Sequence, residues 1–169
     1  MEKTRNNYII GGDIINKKIV FFMLTILFLV VALTGCNSEK TTFSAEVEKS
    51  AIEELVKDYF QASYTIDYKS WDGTAELQYA TDRFAEKLKM IFPEYKKSFT
   101  EIQLTEKFDS IEVGTISFDS ETSGTVECVV QGSGTENGVA FTQTMNYLVE
   151  VKKVREQWLI ENYYVNETP

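Results

Sequence analysis

The sequence contains no histidine. That absence removes the commonest general base and the commonest metal ligand together, and with them every Cys–His or Ser–His nucleophile pair within the chain. Cysteine is nearly absent as well, with only Cys36 and Cys128. No glycine-rich loop precedes a helix in the way a phosphate cradle requires; Gly132-Ser133-Gly134 falls at an expected hairpin between strands. No acidic loop has the calcium-hand pattern. Neither a metal site nor a cofactor is therefore expected. Basic charge is scarce too, with 17 Lys and Arg against 26 Asp and Glu. Four of those basic residues (Lys3, Arg5, Lys17, Lys18) lie in the first 35 with only Glu2 and Asp13 for company, so the other 134 residues carry a net charge of −11. Phosphate backbones repel such a domain, which argues against a nucleic-acid partner. Anionic headgroups repel it equally, so contact with a membrane needs an anchor. Internal repeats and low-complexity segments are missing.

Long apolar runs are confined to one place. Lys17-Lys18 precedes a 15-residue apolar stretch, Ile19 to Leu33, followed by Thr34, Gly35 and Cys36. A positive region, a short apolar region and small residues before a cut are the parts of a secretory signal. The run is short for a permanent span, which needs about 20 residues. Leu33-Thr34-Gly35-Cys36 resembles the lipobox of bacterial lipoproteins. The resemblance implies cleavage between Gly35 and Cys36 and acylation of Cys36. Two acyl chains suffice for stable anchoring where one is marginal. The expected organisation is a signal peptide over 1–35, a lipidated cysteine and tether over 36–45, and a domain over 46–169 held on the outer face of the cell membrane. Asn37 to about Ser44 is polar and reads as the flexible part of that tether. The alternative is an uncleaved amino-terminal helix with Lys17-Lys18 inside. Either way residues 37–169 lie outside the cytoplasm. The long leader before Lys17, with Gly11-Gly12, suggests that translation starts later than Met1. With Cys36 lipidated, Cys128 has no partner for a disulfide.

Beyond the tether the apolar period is helical, then changes to two. Ile52, Leu55, Val56, Tyr59, Phe60 and Ser63 share one helical face within 45–66, with a start between 45 and 50. A short helix is expected over Tyr68–Leu77, weakened by Asp72-Gly73. Thr81 or Asp82 caps a third helix running to about Lys97, buried through Phe84, Leu88, Ile91, Phe92 and Tyr95. Pro93 predicts a kink or stop near Phe92. Four strands follow over Glu101–Phe118 (with a bulge near Gly114), Thr125–Gln131, Val139–Val151 and Gln157–Val165. In the last, Trp158, Ile160 and Tyr164 are expected on one face and Leu159, Tyr163 and Val165 on the other. Short turns make these an antiparallel meander. Helices followed by strands predict an α+β domain: amino-terminal helices packed in a curved antiparallel four-stranded sheet.

Residues 47–166 resemble the nuclear transport factor 2-like superfamily. The carrying features are the helix AIEELVKDYFQASYTIDYKSW with Asp67 at its acidic turn and Trp71 beyond, the helix DRFAEKLKMIF, and the strand QWLIENYYV with Trp158-Leu159-Ile160. The resemblance implies a cone, a curved sheet around helices with a pocket at its open end. Enzymes of the superfamily place an acid or histidine in that cone beside a tyrosine or acid. The candidates here are Tyr64, Asp67, Asp72 and Glu127. Asp67 reads better as a turn residue and Glu127 as solvent-facing. Tyr59 and Tyr64 read as core or rim aromatics, and Cys128 as an inert buried thiol. No catalytic residue is assigned. Tyr64, Tyr68, Trp71 and Tyr164, with Tyr163 beside it, are the candidates for a pocket rim or contact surface. Three functions stay open. One is a non-catalytic binding or assembly domain with an envelope protein partner. Another is a small-molecule binder or lyase/isomerase acting in the cone, and the third is a component of a conjugation or secretion apparatus. The sequence does not set the oligomeric state.

Overall fold

The computed structural model describes residues 44–166. The expected signal peptide, Gly35, Cys36 and the tether up to Thr42 and Phe43 lie outside the described residues. Helix α1 spans Ala45–Ser63 and buries Ile52, Leu55, Val56, Tyr59 and Phe60, the face the helical period marks. It stops before residue 66 because the chain turns at Tyr64 to enter the sheet. Ile66–Asp67 forms a two-residue strand, β1, paired with Glu106 and Thr105.

The helix expected over Tyr68–Leu77 does not form. Asp67 and Asp72 each accept a bond from the backbone amide two residues on, at Lys69 (3.0 Å) and Thr74 (2.9 Å), which favours turns over a helix. Gly73 sits at φ +73°, and a Cβ there would meet the Phe92 ring at 2.6 Å, so the turn needs glycine. Only a short 3₁₀ turn, Leu77–Tyr79, follows.

Helix α2 runs Asp82–Glu101, capped by the Thr81 hydroxyl, which accepts from the Phe84 amide. It neither stops at Phe92 nor ends at Lys97; Pro93 lies inside it. A proline forfeits one backbone bond. Contacts beyond it hold the last two turns in place. Phe99 stacks edge-on against Trp71 (4.9 Å between ring centres), and Lys96 Nζ donates to the Tyr68 and Trp71 carbonyls at 2.7 Å each. The first long strand accordingly begins at Thr105 rather than Glu101.

Strands β2 (Thr105–Ser120), β3 (Ser123–Glu136), β4 (Val139–Val154) and β5 (Gln157–Asn166) continue the meander, giving a sheet of order β1-β2-β3-β4-β5. The sheet has five strands instead of the four expected, because a two-residue strand carries too little pattern to read. All pairings are antiparallel. The Gly114 irregularity expected from the sequence is present between Val113 and Ile116, and others lie between Phe108 and Ser110 and near Phe118. Gly132 and Gly134 lie inside β3; the hairpin itself is at Asn137-Gly138. Bulges bend a strand and increase its twist, and this sheet curls around the helices. Its concave face meets α1 and α2 through Val126, Cys128, Val130, Val149, Val151, Trp158 and Ile160, all buried. The architecture is α+β.

Candidate functional site

At one end of the concave face the packing leaves a chamber of about 210 Å³. At roughly 30 Å³ per water-sized group it has room for about seven such groups. The end of α1 contributes Ser63 and Tyr64, the last turns of α2 contribute Tyr95 and Phe99, and Trp71 comes from the loop between the helices. Ile66 of β1, Glu106 of β2, Gln143, Met145 and Tyr147 of β4, and Tyr163 of β5 line the sheet side. Phe60 and Glu76 complete it.

Two carboxyl groups face this chamber in different ways. Glu76 belongs to the loop before the 3₁₀ turn, is 6% exposed, and has no ion-pair or hydrogen-bond partner for its carboxyl among the described residues. Burial alone pushes it up to about 7. Glu106 accepts a hydrogen bond from Gln143 Nε2. Burial raises it too, against that bond. Gly132 makes room for this arrangement: a Cβ there would lie 2.7 Å from the Tyr64 ring and 2.8 Å from Glu106 Oε1.

Phenols supply the other polar groups. The Tyr64 and Tyr147 hydroxyls are hydrogen-bonded at 2.8 Å. Burial pushes Tyr64 up to about 12, and Tyr147 and Tyr163 further, so all three stay neutral. Tyr59 Oη is buried beside Tyr163 (ring centres 6.1 Å apart) with no hydrogen-bond partner among the described residues. The rings interlock: Phe60 packs on Tyr147 at 4.6 Å, and Tyr147 stands edge-on to Tyr163 at 5.6 Å.

Of the residues singled out from the sequence, Tyr64 and Trp71 line the chamber, whereas Tyr68 and Tyr164 do not. Tyr68 is half-buried, with Lys69 Nζ 5.5 Å from its ring centre. Tyr164 is exposed on the outer face, and Tyr163 points inward in its place. The cause is a bulge. Ile160 pairs with Val151 and Asn162 with Glu150, so Glu161 is an extra residue that reverses the alternation after it. Glu161 turns that position to use, accepting a hydrogen bond from Thr81 (2.7 Å) and pairing with Arg83, which ties the start of α2 to β5. Asp67 and Asp72 serve turns, Glu127 is exposed, and Cys128 is a buried free thiol pushed up to about 12. Sequence reasoning missed Glu76, Glu106 and Gln143; it named Tyr163 as a candidate beside Tyr164 but set it on the strand face opposite Trp158 and Ile160. A carboxylate in a loop and one near a strand end carry no period to mark them.

The chamber can hold a proton near neutrality on Glu76 and can offer hydrogen bonds from neutral phenols. Among the described residues no group of three or more Cys, Asp or Glu side chains is placed to hold a metal ion, and no helix is long and apolar enough to cross a membrane.

No family model matches the chain, and no curated protein matches it in sequence. Solved structures do match in fold. An IcmL-like type IV secretion system protein from Legionella pneumophila superposes with a TM-score of 0.55 at 11% identity, over 72% of this chain and 94% of that one. The putative transfer protein TraH of a Gram-positive conjugative plasmid gives 0.52 at 16%, over 70% and 94%. A ketosteroid isomerase-like protein from Erwinia carotovora atroseptica gives 0.51 at 19%, over 68% and 91%. At these identities the likeness is one of fold: this domain shares the helix-filled curved sheet of these three proteins.

Proposed function

We propose that this chain is a lipid-anchored extracytoplasmic protein whose domain binds a small ligand in the chamber without turning it over. The observation that carries the reading is Glu76, a buried carboxyl facing an aromatic-walled space with no partner from the described chain. Burial makes this carboxyl costly to ionise, and a ligand that favours its charged form recovers that cost. Catalysis would need a nucleophile or a second group matched to Glu76. Cys128 is pushed away from thiolate and is not part of the chamber lining, so it supplies no nucleophile there.

Full-length protein extracted in nonionic detergent tests the reading by thermal shift against a broad collection of small compounds. Some should raise the melting temperature of the native protein by several degrees, and Glu76→Gln should lose that response. A collection that stabilises neither protein sinks the reading. The anchor is tested separately: Cys36→Ala should abolish fatty-acid labelling and leave an unprocessed precursor.

The fold likeness to the IcmL-like protein and TraH favours a second reading, an assembly component of a secretion or conjugation apparatus in the envelope. Cross-linking in intact membranes should then recover one specific protein partner.

A further inference from the structure

We infer that the ligand of the chamber is a small organic cation, an ammonium group carrying short alkyl substituents; this rests on the reading that the chamber binds a small molecule. Three independent features of the lining point the same way.

The first is the charge of the walls. Glu76 and Glu106 are the ionisable carboxyls of the lining, and no Lys or Arg is among its thirteen residues. Lys96, on the neighbouring stretch of α2, is committed to the Tyr68 and Trp71 carbonyls. An anionic ligand would meet two carboxyl groups and no counter-charge. A cation supplies the partner that Glu76 lacks.

The second is the aromatic content. Seven of the thirteen lining residues are aromatic, including Trp71 and Phe99 on the helix side and Tyr147 and Tyr163 on the sheet side. Ring faces attract a desolvated ammonium, most strongly when several rings surround it. A neutral apolar ligand gains from burial against the same rings but leaves Glu76 unsatisfied.

The third is the backbone. Both helices bring their carboxyl-terminal ends to the chamber, α1 through Ser63 and Tyr64 and α2 through Phe99. Neither has a basic residue in its last turn. The negative pole of each macrodipole therefore favours a cation there.

The volume limits the ligand to a compact molecule. Pockets that enclose drug-sized amines run to roughly 300–1,000 Å³, above this volume. The titratable groups that feel the charge of Glu76 are Tyr59 of α1 and Tyr163 of β5, and burial keeps both phenols neutral. Glu76 is thus the group in this set that ionises near neutrality, and a bound cation favours its ionised form. Cation uptake should expel a proton at pH 6 and none at pH 9.

The test uses full-length protein in nonionic detergent with three probes of similar shape: choline, its neutral isostere 3,3-dimethylbutan-1-ol, and the anion 3,3-dimethylbutanoate. Calorimetry at pH 8 should show choline binding roughly tenfold or more tighter than the neutral isostere, with the anion weakest. Glu76→Gln should remove most of that preference, and Glu106→Gln should weaken it, while both variants keep a cooperative melt. Equal binding of choline and its isostere, or tighter binding of the anion, overturns the cation assignment and leaves the small-molecule reading standing. Binding of none of the three in the millimolar range overturns the cation assignment as well; the compound collection then decides the parent reading on its own.

Discussion

Two carboxylates of this domain respond to pH in opposite directions. Glu76 is buried without a partner and is pushed up to about 7, whereas an unfolded glutamate titrates near the ordinary 4.5. Below the unfolded value the carboxyl is neutral in both states and costs little. As pH rises from 4.5 toward 7 the unfolded chain gives up its proton first, so the folded state loses stability across that window. Glu76→Gln should therefore stabilise the protein above pH 7, by an amount on the order of 3 kcal/mol, and have little effect below pH 4.5. Urea midpoints at the two extremes measure this; an unchanged or lower midpoint at pH 8 contradicts the burial argument. Gly132 is the second sensitive position. Gly132→Ala places a methyl group against Tyr64 and Glu106. It should cost about 1–3 kcal/mol by overpacking and abolish any chamber ligand response. A thermal melt with and without ligand separates the two effects.

At the scale of elements, the amino-terminal turns of α1 are held to the sheet by Glu48. Its carboxylate accepts from Lys153 Nζ of β4 (2.7 Å) and from the Trp158 indole of β5. Lys153, then Trp158, hold this carboxyl below the usual glutamate range. That stabilisation is present above the unfolded pKa and is lost as pH falls through the depressed folded value. Glu48→Gln should lower stability by about 1–2 kcal/mol at pH 7, and the gap from the native protein should close at acid pH. Denaturant titrations at pH 7 and pH 3 check both the size and the closure. This tie joins residues more than a hundred positions apart, and nothing in the local pattern around Glu48 announces it. The buried face of α1 was legible, because a helical period repeated over about three turns is a strong signal. The bulge at Glu161 was not. Its position is set by what Glu161 touches on α2, and those contacts decide whether Tyr163 or Tyr164 enters the chamber. Pro93 teaches the same point in reverse: of the kink or stop that the local rule predicts, the stop does not occur, and Phe99 packs on Trp71 beyond it.

For the whole molecule, the hydrophobic core among the described residues runs from Ile52 to Ile160, and both helices spend their apolar faces on it. The chain without residues 1–43 should therefore still melt cooperatively, with a midpoint within a few degrees of the full-length protein. Circular dichroism of the two proteins decides this; loss of the cooperative transition would mean that the amino-terminal segment is needed to fold. By itself the sequence determined the α+β order, the buried face of α1, the meander and the lack of histidine. Those follow from periodicity and composition, which act over short stretches of chain. Tertiary structure alone decided the fifth strand, the inward turn of Tyr163 and the convergence of Glu76 with Glu106. Strand bulges and the curl of the sheet bring together groups that are distant in sequence, and no local period encodes where such groups meet.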